Sequence, residues 1–438
     1  MKALILAGGL GNRMGNITEI IPKSMIRINK KPVIEYQIEL LKKYGLKEII
    51  ICTGHLSKDI EDYFKDGNNF GIKITYSKED VPLGTGGAIK KLNKYLKEDF
   101  LVLNGDLIIN MDLKRLIDYH KNKKSIATVV IHPNDHPFDS DLVLVDKKGR
   151  ITSFVSHSCK KNFYYRNLTI AGVYIFSIYI FKYMKGQKKI NLEKEILPAI
   201  VSDKNDVYGY ISPEYIKDMG TPERLDEVLK DINNTKVESF NLSVKNPAVF
   251  LDRDGVINEL IEDINNVNDF KLMPNVPQAI KNISEMGFYC VVVTNQPSIA
   301  KGYCGFNEIH NIHNKMETLL GYDNAKLDAI YFCPHHPEIG FEGENKKYKV
   351  RCNCRKPKIG MIKRAKNDLN IDIGRSYLIG DSTVDLETAR NAGLVSIGLK
   401  CGYGCKDNKF NISPDYWADD LYNAVELIKL LEKKYYNS

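Results

Sequence analysis

Residues 249–258 read VFLDRDGVIN: a short apolar run, two aspartates one residue apart, then glycine. An apolar run that ends in acids and glycine has the form of a buried parallel strand whose C-terminal end faces a ligand crevice. The chain has already made such a start at residues 2–14, KALILAGGLGNRM, where a strand runs into a glycine loop. Two first strands imply two α/β domains, each with polar groups at its own strand ends.

Length and composition agree. With 438 residues and 43% hydrophobic content, the chain is globular and too long for one ordinary core, so two domains of roughly 200 residues each are expected. The net charge of +8 is spread over short lysine pairs such as Lys42–Lys43 and Lys433–Lys434 and forms no basic arm. That pattern reads as solvated helix faces, which suits anionic small substrates and argues against nucleic acid. Three of the nine cysteines fall within residues 333–354, the usage of a metal site in a reducing cytoplasm and not of a disulfide framework. ALILA is too short to span a membrane and lacks a cleavage site, so a cytoplasmic protein without membrane attachment is expected.

Outward from the two starts, apolar runs alternate with amphipathic stretches. KALIL, VIEYQIELLKKYG, EIIICT, KITYS and FLVLNGD make the first series; AVFLD, VPQAIKNISEMG, FYCVVVTN, DAIYFC, SYLIGD and LVSIGL make the second. Both are βαβα patterns of a parallel sheet covered by helices. Between them the asparagine-rich stretch around NNTKVESFNLSVKNP reads as a linker. The expected division is 1–230, a linker at 231–246, and 247–438.

In AGGLGNRM the dinucleotide spacing G-x-G-x-x-G fails at Met14, and no Walker motif is present. Gly8, Gly9 and Gly11, with Arg13 and Lys23 nearby, still suit a triphosphate, because residues without Cβ let backbone N–H groups reach an oxyanion and the cations add charge-assisted contacts. Further on stand PLGTGGAI at 82–89, NGD ending at Asp106, and KDMGTPERL with Asp218. The ordered set GGLGNRM, PK, LGTGGA, NGD and D-x-G-T-P resembles the sugar-phosphate nucleotidyltransferase family over about residues 1–230.

The resemblance implies a Rossmann-like, glycosyltransferase-A-like sheet. Asp106 and Asp218 would hold Mg²⁺ against the nucleotide and sugar phosphates. Arg13 and Lys23 would complete the phosphate cradle. Thr85, Gly86 and Gly87 would lie along base and ribose. On the sugar side the pattern departs from the family: Ser156 and His157 stand where Glu and Lys are usual, and Ile170 where Asn is usual before Ala171-Gly172-Val173-Tyr174.

VFLDRDGVIN has its own company: VVVTNQPSIAKG with Thr294 and Asn295, CRKPKIGM with Lys356, and YLIGDSTVDLETARNAG with Asp381 and Asp385. The order D-x-D, T, K, GD-x-x-x-D resembles the haloacid dehalogenase phosphatase superfamily over about 247–438. The resemblance implies Asp252 as nucleophile, Asp254 as general acid and base, Mg²⁺ on Asp252, the Asp254 carbonyl, Asp381 and Asp385, and phosphoryl contacts from Thr294 and Lys356.

Cys333-x-His335, sixteen residues, then Cys352-x-Cys354 supply three thiolates and an imidazole, a closed structural Zn²⁺ set. His336 competes with His335 and is read as an ordinary surface histidine. With this insertion the C-terminal half resembles the heptose 1,7-bisphosphate phosphatase and histidinol-phosphate phosphatase families. The first of these leaves a sugar 1-phosphate that the N-terminal half could use, so the fusion favours it. Arg253, Lys301 and Arg355 are then expected at the distal phosphate, with Asn295 at the substrate. The expected whole is a bifunctional enzyme that dephosphorylates a heptose 1,7-bisphosphate, as the α anomer, and guanylylates the product with GTP. Two alternatives stay open: an N-terminal half that binds nucleotide only for regulation, or both activities on another sugar phosphate. Small-molecule substrates are the expected partners; sequence gives no oligomeric state.

Overall fold

The apolar runs become buried strands, and the amphipathic stretches become helices that cover them. A computed structural model describes residues 1–9, 14, 20–137, 140–158, 163–186, 189–204 and 206–436. The chain forms two units, one of Met1–His132, Asp141–Ser156 and Leu168–Asn241, the other of Pro133–Ser140, His157–Asn167 and Leu242–Ser438.

In chain order the first unit is built on β1 (Ala3–Ala7), α1 (Val33–Lys43), β2 (Glu48–Thr53), β3 (Lys73–Lys78), α2 (Gly84–Lys91), β4 (Phe100–Asn104), β5 (Leu107–Asn110), β6 (Ala127–Pro133), β7 (Leu142–Val145), β8 (Ile151–Val155), β9 (Leu168–Phe176), β10 (Val207–Ile211), β11 (Tyr215–Asp218) and α3 (Pro222–Asn233). The main sheet runs β8-β7-β9-β4-β1-β2-β3, with β6 joining β9 and β10 pairing β6. β1 lies parallel between β2 and β4, and Ala3, Leu4 and Ile5 are wholly buried, as a strand covered on both faces requires. α1 turns Val33, Ile34, Ile38 and Leu41 inward at helical spacing. β5 and β11 form a separate antiparallel ribbon.

The second unit continues with β12 (Ala248–Leu251), α4 (Val276–Glu285), β13 (Tyr289–Asn295), α5 (Phe306–Tyr322), β14 (Ala329–Cys333), α6 (Gly360–Leu369), β15 (Tyr377–Gly380), α7 (Thr383–Ala392), β16 (Val395–Leu399), β17 (Tyr416–Ala418) and α8 (Leu421–Tyr436). Its sheet order is β14-β13-β12-β15-β16-β17, parallel throughout. Strand order reverses at β12, so a crevice opens beyond the C-terminal ends of β12, β13 and β15.

Two features differ from the sequence expectation. The stretch 231–246 is not a bare linker: α3 continues to Asn233, a further helical turn spans Lys236–Ser239, and Val237, Phe240 and Leu242 are buried. Three spaced apolar side chains outweighed the polar composition around them. In addition, the short segments 133–140 and 157–167 group with the second unit.

Candidate active sites

In the first unit a cavity of about 480 Å³ opens beyond β1 and β4, with Gly8, Gly9, Lys23, Thr85 and Asp106 in its wall. Asp106 occupies the turn between β4 and β5. Gln37, fully buried on α1, donates from Nε2 to the carbonyls of Asn104 and Leu107, 2.9 Å each, and so pins that turn from behind. Lys23 Nζ donates to Asp106 Oδ2. The β5–β11 register sets Asp218 opposite Leu107, beside Asp106 in sequence, and Met219 N–H donates to the Asp106 carbonyl at 3.0 Å.

Asp218 is tied by Arg224, whose Nη1 reaches its two oxygens at 2.9 and 2.7 Å, and by Gly220 N–H at 2.8 Å. Burial alone would raise the Asp218 pKa, but Arg224, Lys23 and these hydrogen bonds together hold it below the ordinary value. The result is two neighbouring carboxylates, Asp106 in the turn after β4 and Asp218 at the end of β11, each already facing a cation, with Asp106 in the wall of the glycine-lined cavity. Such a set suits phosphates bridged by a divalent ion.

Gly11 and Arg13 lie outside the described residues. The N–H groups of Gly86 and Gly87 donate to the Ile190 carbonyl at 2.9 and 3.4 Å, and a Cβ at Gly86 would meet Ile190 Cγ2 at 2.8 Å. At Gly86 the missing Cβ admits the neighbouring segment at Ile190. Thr85 reaches the cavity wall, and its Oγ1 accepts from Leu192 N–H at 2.9 Å. Glu79, Asn104 and Lys189 also line the cavity. In a lysine-rich chain nothing marks Lys189, whereas Glu79 stands at the C-terminal end of the strand KITYSK, where parallel sheets place ligand groups.

In the second unit Asp252 follows β12, Asp381 follows β15 and Asp385 lies in the first turn of α7. One carboxylate oxygen from each falls within 4.8 Å of the others. Lys356 Nζ bridges this cluster, 2.9 Å from Asp252 Oδ1 and 2.5 Å from Asp385 Oδ1. Burial, then repulsion from Asp385 and Asp252, pushes Asp381 up to about 8; burial and Asp385 likewise raise Asp252. Gly255 and Gly402 adopt φ of +80° and +58°, and a Cβ on either would approach within 2.1 or 2.0 Å of Asp381 Oδ2. Three repelling carboxylates against one ammonium, in a cradle without room for side chains, fit a small divalent cation such as Mg²⁺.

Asp254 accepts from Asn258 Nδ2 at 3.0 Å, Gln296 Nε2 at 2.9 Å and the Arg253 guanidinium. Arg253 is 0% exposed, which corrects its placement at a substrate phosphate: its head is used inside the protein, on Asp254. Asn295 is corrected as well. Its amide takes both backbone groups of Lys356, accepting from N–H at 3.0 Å and donating to the carbonyl at 3.2 Å, so it positions the lysine. Thr294 is buried, and its Oγ1 accepts from Gln296 at 3.0 Å. Lys301 pairs with Asp263 at 2.5 Å, and Arg355 Nη1 donates to the His335 carbonyl at 3.2 Å.

Cys333, His335, Cys352 and Cys354 converge. Their Sγ–Sγ separations are 3.2–3.5 Å, and His335 Nδ1 stands 3.5 and 3.3 Å from Cys333 and Cys354. These lengths exclude disulfides and approach the edges of about 3.3–3.8 Å of a tetrahedron with zinc–ligand bonds of 2.0–2.3 Å. His336 is not the surface histidine expected. It is buried, its Nδ1 has no hydrogen-bond partner among the described residues, and its ring meets Phe341 edge-on at 5.6 Å.

Comparison with known families gives one match in each half of the chain. Residues 2–235 match the nucleotidyl transferase family. The chain belongs to that family. Residues 353–424 match the HAD-hydrolase-like family, so this nucleotidyl transferase carries a haloacid dehalogenase-like phosphatase domain and is a bifunctional enzyme. It is 38% identical over 189 residues to D-glycero-D-manno-heptose-1,7-bisphosphate 7-phosphatase of Thermosynechococcus vestitus, covering 42% of this chain and 95% of that one. It is 38% identical over 224 residues to D-glycero-alpha-D-manno-heptose 1-phosphate guanylyltransferase of Campylobacter jejuni, covering 51% and 96%. It is also 42% identical over 148 residues to D-glycero-beta-D-manno-heptose-1,7-bisphosphate 7-phosphatase of Haemophilus ducreyi, covering 34% and 79%. Among the described residues of this nucleotidyl transferase no helix is long and apolar enough to cross a membrane.

Proposed function

We propose that the enzyme removes the 7-phosphate from D-glycero-α-D-manno-heptose 1,7-bisphosphate and then transfers GMP from GTP to the resulting heptose 1-phosphate, releasing pyrophosphate. The activities are assigned to residues 247–438 and 1–230. The observation that carries the reading is the joining, in one chain, of relatives whose named substrates are consecutive: one acts on the 1,7-bisphosphate, the other on the 1-phosphate.

In the phosphatase half, Asp252 Oδ attacks phosphorus and the bond to the sugar oxygen breaks. Asp254 gives that oxygen its proton. Water, deprotonated by Asp254, then splits the aspartyl phosphate. Lys356 holds the nucleophile's charge and orientation, and Thr294 contacts the phosphoryl group. Bound by Asp252, Asp381, Asp385 and the Asp254 carbonyl, Mg²⁺ would mask repulsion between anionic nucleophile and anionic substrate. Lys301 and Arg355 remain the cations assigned to the distal phosphate.

In the other half, Gly8, Gly9 and Lys23 cradle the triphosphate while a sugar 1-phosphate oxygen attacks the α-phosphorus in line, so positioning and charge neutralisation carry the rate. Asp106 and Asp218 would hold Mg²⁺ there. Zn²⁺ on Cys333, His335, Cys352 and Cys354 is assigned a structural role, because four protein ligands leave no open position.

Pyrophosphate release, screened over four nucleoside triphosphates and the α and β heptose 1-phosphates with mannose 1-phosphate as comparison, tests the reading. Turnover highest with GTP and the α-heptose is expected. Preference for another sugar or nucleotide would replace this assignment.

A further inference from the structure

We propose that His313 is a positioning residue for the phosphatase step, fixing the orientation of Asp254 through Arg253. The inference rests on the reading of Asp254 as proton donor to the leaving oxygen.

Arg253 follows the nucleophile in sequence, yet its side chain turns inward and, among the described residues, is the largest of those wholly buried. A guanidinium that stays charged in the interior needs its donors occupied. Nε and Nη2 reach Asp254 Oδ1 at 3.1 and 2.7 Å, and Nη2 also reaches Oδ2 at 2.9 Å. The remaining arm, Nη1, stands 3.3 Å from His313 Nε2. Guanidinium has no acceptor, so His313 Nε2 must accept and the ring proton resides on Nδ1.

The neutral ring this demands agrees with the environment: burial and then the Arg253 charge hold the His313 pKa well below its ordinary value. His313 sits on α5, 5% exposed, its ring edge-on to Phe332 at 5.3 Å. A guanidinium is planar and rigid, so anchoring Nη1 on a packed imidazole determines where Nε and Nη2 point. Asn258 and Gln296 complete the hold on the Asp254 carboxylate. Without His313 the fork can swing about its stem, and Asp254 turns with it.

The test separates proton donation from folding by leaving group. In a single turnover of the full chain, nitrophenolate departs from p-nitrophenyl phosphate without a proton, whereas a sugar alkoxide needs one. The alkyl substrate is whichever of heptose 1,7-bisphosphate, fructose 1,6-bisphosphate and glycerol phosphate the wild type cleaves fastest, so an error in the heptose assignment leaves the test intact. Asp254→Asn, run alongside, reports on the proton-donor reading separately.

His313→Leu is expected to slow alkoxide release about tenfold or more while nitrophenolate release falls at least tenfold less, within the 10²–10⁴ range of general acid catalysis. His313→Gln, which keeps an acceptor for Nη1, should recover alkoxide release to within about threefold of wild type. Where the leucine variant does not fold, Arg253→Lys, which keeps a cation but loses the fork, should give the same selective loss. Equal losses on both substrates, no loss, or a glutamine variant as impaired as leucine would overturn the proposal.

Discussion

Lys356 Nζ lies 2.9 Å from Asp252 Oδ1, and in the same buried position it contacts Asp385 at 2.5 Å. Burial would lower the Lys356 pKa, but the two aspartates more than reverse this, and the ammonium stays charged. Replacing it with methionine would leave the carboxylate cluster uncompensated. Lys356→Met should therefore lose about 3–5 kcal/mol of stability without added metal and about 10²-fold or more in phosphate release. Denaturant titration and a phosphate assay check both; activity within tenfold of wild type would remove Lys356 from the phosphoryl site.

The main motifs were legible because parallel sheets place ligand groups at successive strand ends, so Asp252, Thr294 and Asp381 could be read as one constellation before any coordinates. The inward turn of Arg253 was not legible, because the residue lies in a bend two positions past the end of β12, where strand alternation no longer sets side-chain direction. What sequence could not give were pairings across distance. Lys23 pairs with Asp106, which is 83 residues away. Asn295 serves Lys356, which is 61 residues away. The helical turn at Lys236–Ser239 was hidden by its polar composition.

Metal binding should depend on pH. Because the folded-state pKa of Asp381 is raised to about 8, its contribution to stability in metal-free protein is fully present below the unfolded value and is lost as pH rises through about 8. A divalent cation reverses that cost by binding the ionised form and must displace protons at lower pH. Added Mg²⁺ is accordingly expected to raise the unfolding midpoint more at pH 8 than at pH 6, and Asp381→Asn should abolish most of the difference. Equal shifts at both pH values would exclude these carboxylates as the cation site.

Zinc content is a separate matter. Protein prepared without chelator should contain close to one zinc per chain by elemental analysis, and replacing Cys333, His335, Cys352 or Cys354 should remove it, while His336→Ala should retain it. Zinc lost from the His336 variant and kept by the His335 variant would reassign the fourth ligand.

The central claim is that one chain holds two independent active sites, and the crossed pair of substitutions at Asp252 and Asp106 tests it most directly. In the full chain, phosphate release from heptose 1,7-bisphosphate and pyrophosphate release from supplied heptose 1-phosphate and GTP are measured for each variant. Asp252→Asn should abolish phosphate release and leave pyrophosphate release within about twofold of wild type, whereas Asp106→Asn should do the reverse. A folded variant in which either single substitution silenced both reactions, or an Asp106→Asn protein with undiminished pyrophosphate release, would contradict the two-site account.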